Sequence, residues 1–284
     1  MDKQFAPGPT LVTATSKELL AVDWSGTLWR SSDKDAKVWR STKLPFDEIS
    51  ILQASESALL VCGVGRPREC LLLRHSDDAV VSFKSMRPAA LVRDRAYLVS
   101  EDDSTVSWVS IKSGRPQKTG IVGIPVGRFG RFLMIWDAEK SRLTLYNEAT
   151  LKETVAVPLY SGGAMASYWA IGGDRLWTWD GKTKTLYAIT LNGEKTSVQV
   201  DVKGDARLIG IPQGVLLTDK FGPPDQVKSS VKIVTPRGAE LLVRHVTTVD
   251  DWVRPSSSAY VDGVVYLYGV KHGYIKVKLP SDEH

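Results

Sequence analysis

The sequence predicts an all-β fold built from repeats, and three observations support this. Short apolar runs separated by Gly, Asp, Asn, Ser and Pro recur along all 284 residues, as expected for strands joined by turns. No window of about a dozen residues keeps the helical period, so no amphipathic helix is expected. The runs repeat with a mean step of about 41 residues, within the range of propeller blades. The sequence therefore predicts a seven-bladed β-propeller with four antiparallel strands per blade, closed by the N-terminal segment.

Each repeat has a first apolar run, a polar turn and a second, alternating run. The first runs are Leu19–Val22, Ala58–Cys62, Ala96–Val99, Phe132–Trp136, Leu176–Trp179, Val215–Thr218 and Val264–Leu267. Their partners are Leu28–Arg30, Leu71–Arg74, Val106–Ile111, Leu143–Tyr146, Leu186–Ile189, Val231–Val234 and Ile275–Lys278. Seven such steps use the whole chain, so residues 1–284 are expected to form a single propeller domain.

The last repeat is shorter than the others. It has only the strand-like segments Ser256–Val261, Val264–Gly269 and Tyr274–Leu279. A three-stranded sheet leaves an unpaired edge, which folded proteins avoid. Lys3–Ala6 are therefore expected to supply the missing outer strand. An open two-sheet sandwich is the alternative fold, but sandwiches rarely repeat at this interval.

Composition and charge argue against several classes of partner. The net charge is +5 and the pI is about 9.1, but the basic residues are scattered. A nucleic-acid binder concentrates them on one face, so no nucleic acid is expected. No apolar run is long enough to span a membrane. Met1–Pro9 lacks the apolar segment of a secretory signal, so we expect a cytoplasmic protein.

The two cysteines flank a turn. Cys62 and Cys70 lie symmetrically about Arg66, so they could face each other across two strands. A cross-strand disulfide and two buried free thiols are both open, and a reducing compartment favours the free thiols.

Two segments carry a recurring turn pattern. One runs from Gly26 to Trp39 and contains Ser31, Asp33 and Trp39; the other contains Ser76, Asp78 and Phe83. Both resemble degenerate copies of the Asp-box, the Ser-x-Asp-x-Gly-x-Thr-Trp turn (BNR repeat) of sialidase-like propellers.

The resemblance implies a structural role and a non-catalytic member of that superfamily. The Asp carboxylate would accept backbone N–H bonds in the turn between third and fourth strands, and the aromatic would pack between neighbouring sheets. A turn symmetric about Lys34 would also place Trp29 opposite Trp39 on adjacent strands.

No catalytic set is recognisable. The histidines His75, His245, His272 and His284 are far apart and lack metal-ligand spacing. Neither a phosphate loop nor a nucleophile elbow occurs. The Phe/Tyr-Arg-Ile-Pro signature of sialidases is missing, since Ile124-Pro125 and Ile211-Pro212 lack the preceding aromatic and arginine. We expect no enzyme activity, no metal and no cofactor.

Candidate binding residues lie in turns and long loops on one predicted face. The long loops are Lys220–Ser229 and Thr247–Ser256. The residues are Phe221, Trp252 and Arg254 on these loops, with Arg66 and Arg68 on the second-repeat turn. Their types are enriched at binding hot spots, and loops on a rigid scaffold carry function.

The sequence thus predicts a non-catalytic propeller that binds a protein partner. An immunity protein that neutralises a toxin or effector, or an adaptor, fits this description, with the chain a monomer outside the complex. The alternative is a sialidase-like propeller that binds or hydrolyses a glycan, because the ring could assemble an arginine triad.

Overall fold

The computed structural model describes residues 9–23, 25–32, 38–100, 105–158, 169–202, 205–221, 227–247, 253–261, 263–269 and 273–279. The chain divides into two compact units, Met1–Val157 and Pro158–His284. Every regular element in the described ranges is a β-strand. These ranges contain no apolar helix of membrane-spanning length.

The first unit consists of four antiparallel sheets, each with four strands in chain order. Sheet 1 has β1 (Pro9–Ala14), β2 (Leu19–Asp23), β3 (Thr27–Ser31) and β4 (Arg40–Lys43). Sheet 2 has β5 (Ile49–Ala54), β6 (Ala58–Gly63), β7 (Arg68–Arg74) and β8 (Val80–Ser85). Sheet 3 has β9 (Ala90–Val92), β10 (Arg95–Val99), β11 (Thr105–Ser110) and β12 (Gln117–Val122). Sheet 4 has β13 (Ile124–Phe129), β14 (Phe132–Asp137), β15 (Arg142–Asn147) and β16 (Glu153–Pro158).

The second unit has two four-stranded sheets and one three-stranded sheet. Sheet 5 has β17 (Trp169–Gly172), β18 (Arg175–Asp180), β19 (Thr185–Thr190) and β20 (Lys195–Gln199). Sheet 6 has β21 (Asp205–Ile211), β22 (Gly214–Phe221), β23 (Val227–Thr235) and β24 (Gly238–Thr247). Sheet 7 has β25 (Val253–Val261), β26 (Val264–Gly269) and β27 (Gly273–Lys278).

The core lies between neighbouring sheets. The second strands β2 and β6 are buried along their whole length, whereas β4 is exposed along its whole length. Sheets 2 and 3 share a cluster that contains Leu60 and Leu98, and sheets 5 and 6 share one that contains Leu186 and Leu217. A second strand is therefore apolar on both faces because a sheet covers each face.

The repeats are where the sequence places them, but the blade count is wrong. All seven predicted first runs lie in the second strands of their sheets. The fourth strand of sheet 7 is missing from the described residues. Among the described residues, six sheets have four strands and sheet 7 has three, so there are six four-stranded blades and not the predicted seven. The predicted closing strand, Lys3–Ala6, lies outside the described residues.

The described residues of two predicted loops lie in strands. Within Lys220–Ser229, Phe221 pairs with Lys228, so the hairpin continues well into the segment. The predicted loop Thr247–Ser256 overlaps strands at both ends, because β24 ends at Thr247 and β25 begins at Val253. Backbone pairing with neighbouring strands extends these strands beyond the apolar runs. The sequence pattern records the apolar runs but not this pairing.

Candidate functional site

Strand alternation brings particular turns of a sheet to one edge. In a four-stranded antiparallel sheet, the connection from second to third strand lies at the same edge as the end of the fourth strand. We call this end of the strands the 2–3 edge, and the opposite end the 3–4 edge. In sheet 2, the 2–3 edge contains the β6–β7 turn and the residues that follow β8.

The β6–β7 hairpin carries two predicted binding residues at this edge. Cys62 pairs with Cys70, which confirms the predicted turn about Arg66. Both cysteines are fully buried and form a disulfide. The preference for free thiols is wrong because it rested on an assumed compartment, whereas the register brings the two side chains together. The disulfide closes the hairpin that holds Arg66 in its turn and Arg68 at the start of β7.

A third arginine joins these two through the register of β7 and β8. Arg68 pairs with Ser85; Arg66 precedes Arg68 by two residues, and Arg87 follows Ser85 by two. Ser85 is fully buried, and its hydroxyl donates to the Arg87 carbonyl oxygen at 2.8 Å. The same hydroxyl accepts from the Val99 N–H at 3.2 Å. We call Arg66, Arg68 and Arg87 the arginine patch.

The patch carries positive charge without acidic partners in the part of the chain that the structure describes. There, no ion pair joins any of its three guanidinium groups to a carboxylate. The Arg68 Nε atom is buried and has no hydrogen-bond partner. Burial, and then the charges of Arg66 and Arg87, hold the pKa of the Arg68 guanidinium below its ordinary value. Arginine nevertheless stays protonated, so an anion would stabilise the patch.

Exposed apolar side chains lie next to these charges. Val64, on the turn that carries Arg66, is 58% exposed, and Val122 is 67% exposed. Val122 and Arg87 line one groove. A basic patch with apolar neighbours has the mixed chemistry of a protein-binding surface.

That groove lies between sheets 3 and 4 and has a volume of about 360 Å³. Its lining includes Arg87, Val122, Trp136, Arg142, Tyr146 and Glu153. The Arg142 side chain lies 3.8 Å from the Asp137 carboxylate and 3.7 Å from that of Glu153. Burial, and then the charge of Glu153, raise the pKa of the Tyr146 phenol. The phenol is therefore protonated and can donate a hydrogen bond. Among the described residues, no three metal-ligating side chains come together.

The first Asp-box-like turn lies between third and fourth strands, as the resemblance implies. Ser31 ends β3, Trp39 precedes β4, and Asp33 is outside the described residues. Trp29 pairs with Ser41, so the predicted Trp29–Trp39 pair is wrong. The register places the centre of this hairpin one residue later than the assumed symmetric turn.

The second copy lies between β7 and β8 and uses a different carboxylate. Asp77, and not Asp78, accepts the Ala79 N–H, at 3.3 Å. Asp78 is exposed like Ser76, and it adopts a positive φ of 53°. Phe83 is 8% exposed and lies in the cluster shared by sheets 2 and 3.

Sequence reasoning missed the aspartates that order the 2–3 edge. Asp23 accepts the Ser25 N–H at 2.9 Å, the Thr27 N–H at 3.0 Å and the Trp29 Nε1–H at 2.9 Å. Asp137 and Asp180 end the second strands of sheets 4 and 5 in the same way. The available signal was an apolar residue followed by Asp at the end of a first run, as in Val22-Asp23, Trp136-Asp137 and Trp179-Asp180.

The remaining candidates belong to the second unit. Phe221 ends β22, and Arg254 lies in β25, where it pairs with Tyr268. Trp252 is outside the described residues. Arg66 and Arg68 belong to the first unit, so a shared surface of all five residues stays a prediction.

The solved structures that are similar to this chain include streptogramin B lyase, BamB and PorZ. The streptogramin B lyase structure has a TM-score of 0.67 at 13% identity and covers 97% of this chain and 95% of its own. BamB from Moraxella catarrhalis has a TM-score of 0.58 at 15% identity, covering 96% of this chain and 83% of its own. PorZ from Porphyromonas gingivalis has a TM-score of 0.59 at 14% identity; the match covers 98% of this chain but only 39% of PorZ.

These likenesses identify the fold and nothing finer. The similar structures are β-propellers, so the chain is a β-propeller with four-stranded antiparallel blades. No protein-family model and no curated protein matches the chain. The Asp-box resemblance therefore stays a prediction.

Proposed function

We propose that this chain is a non-catalytic β-propeller that binds another protein through the 2–3 edge of its first unit. The observation that carries the proposal is the arginine patch. Its three guanidinium groups have no carboxylate partner among the described residues and lie beside the exposed Val64 and Val122.

Binding has a physical reason at such a patch. Like charges held together repel each other and destabilise the free protein. An acidic partner surface relieves that repulsion and speeds diffusional encounter. Arginine is also a residue type that contributes strongly to hot spots, because its planar guanidinium forms several directed hydrogen bonds.

The neighbouring groove supports a role without catalysis. A sialidase-like reaction needs three arginines around the substrate carboxylate, whereas among the described residues two, Arg87 and Arg142, line this groove. Arg142, the other arginine of the groove, already lies within ion-pair distance of Asp137 and Glu153. It is therefore not free to bind a substrate carboxylate without giving up those pairs.

The fold itself does not choose between functions. PorZ is described as a surface component of a bacterial secretion system, and streptogramin B lyase is named as an enzyme. One architecture thus serves both assembly and catalysis, and function has to be argued from the site. Within the protein-binding class, toxin neutralisation and an adaptor role remain our proposals for this chain.

Affinity purification with matched variants tests the proposal. Tagged wild type, the patch variant R66Q/R68Q/R87Q and the control variant R115Q/R128Q/K152Q are purified from the native host after mild crosslinking. The control changes the net charge equally, but its residues are exposed and lie at or towards the 3–4 edge. We expect a stoichiometric partner with wild type and control and its loss with the patch variant. If wild type retains no stoichiometric protein, the proposal is wrong.

The glycan alternative keeps one favourable observation. Three clustered guanidinium groups also suit the carboxylate of an acidic sugar. Calorimetric titration with N-acetylneuraminic acid, and an assay with a fluorogenic sialoside, decide it. Millimolar or tighter binding that the patch variant loses would favour this alternative, and hydrolysis of the sialoside would contradict the non-catalytic role.

The compartment and the oligomeric state are proposals with direct tests. We propose a cytoplasmic protein that is monomeric without its partner. Disulfides persist mainly in oxidising compartments, so the Cys62–Cys70 disulfide of the structure argues against this location. Thiol trapping of both cysteines in intact cells decides between the two. A reduced pair supports the cytoplasm, and an oxidised pair contradicts it. Light scattering of the purified chain gives the oligomeric state.

A further inference from the structure

We infer that the arginine patch and the groove between sheets 3 and 4 together bind one extended segment of a partner protein. Acidic side chains of this segment contact Arg66, Arg68 and Arg87, and an apolar side chain enters the groove. The inference rests on the proposed function and specifies the chemistry of the partner.

The clustering of the patch selects a segment with more than one acidic residue. Arg66 lies in the turn before β7, and the pairing of Arg68 with Ser85 brings Arg87 to the same edge. In an extended chain, side chains on one face recur every second residue, about 7 Å apart. A segment with the pattern acidic–x–acidic therefore presents two carboxylates on one face, which suits a cluster of guanidinium groups. Guanidinium groups bind carboxylates through paired hydrogen bonds, which favours this match.

The groove supplies the apolar contact. Arg87 belongs both to the patch and to the groove lining, so the two sites are continuous. Val122 is 67% exposed at this lining, and Trp136 is half-buried there. A volume of about 360 Å³ accommodates one large apolar side chain. The partner segment should thus carry an aromatic or a long aliphatic residue beyond its acidic pair.

A protein segment fits this surface better than a nucleic acid does. Asp137 and Glu153 line the groove together with Lys140 and Arg142, so the groove offers a phosphate backbone no stretch of uniform positive charge. Nucleic-acid sites place basic residues along a longer stripe, whereas here exposed valines flank the arginines. The combination of charge and apolar surface favours a peptide.

Fluorescence anisotropy with a defined probe tests the inference. The probe is a fluorescein-labelled peptide, Glu-Ser-Glu-Ser-Phe with blocked ends, and the control peptide has Gln in place of Glu. In low-salt buffer we expect the wild type and the R115Q/R128Q/K152Q control to bind the probe with affinities within about two-fold of each other. We expect R66Q/R68Q/R87Q to bind it at least about ten-fold more weakly, and the Gln peptide to be weakened similarly.

The groove is tested separately at an exposed position. V122N, which leaves the net charge unchanged, should weaken binding of the phenylalanine probe about five-fold but barely change binding of Glu-Ser-Glu-Ser-Ala, because only the first uses the groove. Circular dichroism and thermal unfolding confirm that each variant is folded. Equal binding of the probe to wild type and patch variant overturns the inference. So does tighter binding of a single-stranded oligothymidine than of the probe.

The outcomes separate this inference from the proposed function. If the native partner is captured equally by wild type and patch variant, protein binding stands and the acidic-segment site is wrong. If the probe binds as expected while no stoichiometric partner is captured, the site stands and the proposed function is wrong.

Discussion

Asp23 orders the turn after β2 with a single carboxylate. Burial raises its pKa, but the hydrogen bonds from Trp29, Thr27 and Ser25 outweigh burial, so the pKa lies below the ordinary value. A carboxyl group whose pKa is lower in the folded than in the unfolded state stabilises the fold above its unfolded pKa, and this contribution is lost as pH falls through the folded pKa.

We therefore predict that D23N lowers the free energy of unfolding by about 1–3 kcal/mol at pH 7, because the amide replaces one accepting oxygen with a donor. The difference from wild type should shrink as the pH falls below about 4, the ordinary pKa of the unfolded carboxyl, towards the lower pKa of the folded one. Urea unfolding at pH 7 and pH 3 measures both values. A difference that does not change with pH would contradict the assigned role of the charge.

Gly26 follows in the same turn and has no room for a side chain. Its φ is +74°, and a Cβ atom would lie 1.8 Å from the Phe46 carbonyl oxygen. We predict that G26A lowers the free energy of unfolding by about 2–4 kcal/mol, since strain adds to the collision. Gly114 is the matched control: its φ is +64° but nothing lies within 4 Å. G114A should lower the free energy of unfolding by only about 1 kcal/mol. Equal decreases for the two variants in denaturant unfolding would contradict a steric clash at Gly26.

At the scale of the element, the β6–β7 hairpin is closed by a bond across eight residues of sequence. A loop of this length predicts a stabilisation of about 2.5 kcal/mol through the entropy of the unfolded chain. We predict that dithiothreitol lowers the melting temperature of wild type but not that of C62A/C70A. An equal decrease in the melting temperature of both proteins would show that dithiothreitol does not act through this disulfide.

Strands were predictable where burial dominates and less so elsewhere. Ala58–Cys62 is apolar on both faces, and its pattern alone located β6. The extension of β22 to Phe221 and of β23 back to Val227 depends on backbone pairing between polar residues, which no apolar pattern records. Arg87 was missed for a related reason, since it becomes a neighbour of Arg68 only through the register of β7 and β8.

At the scale of the whole molecule, the packing of successive sheets depends on close backbone approaches. In the second unit, a Cβ atom on Gly210 would lie 1.7 Å from the Ile171 carbonyl oxygen, so β21 approaches β17 where only glycine fits. We predict that G210A lowers the free energy of unfolding by about 3 kcal/mol. Gly181, whose added Cβ would meet only an ordinary 3.5 Å contact, is the control. Similar urea midpoints for G210A and G181A would contradict the tight approach.

The repeat period fixed the architecture but not the number of complete blades. A step of about 41 residues locates every second and third strand, yet it does not report how many strands the last unit keeps. Sheet 7 has three strands among the described residues, and the segment expected to supply its fourth, Lys3–Ala6, lies outside them. The paired cysteines likewise follow from register, while their oxidation state needed the structure.

Ser85 holds Arg87 in place at the surface, although its own buried side chain cannot contact a bound partner. Its buried hydroxyl ties the backbone at Arg87 to that at Val99. Fixing a residue before association reduces the conformational freedom that is lost on association. Natural variation at this interior serine would thus tune the affinity of Arg87 for the proposed partner while leaving every contacting atom unchanged.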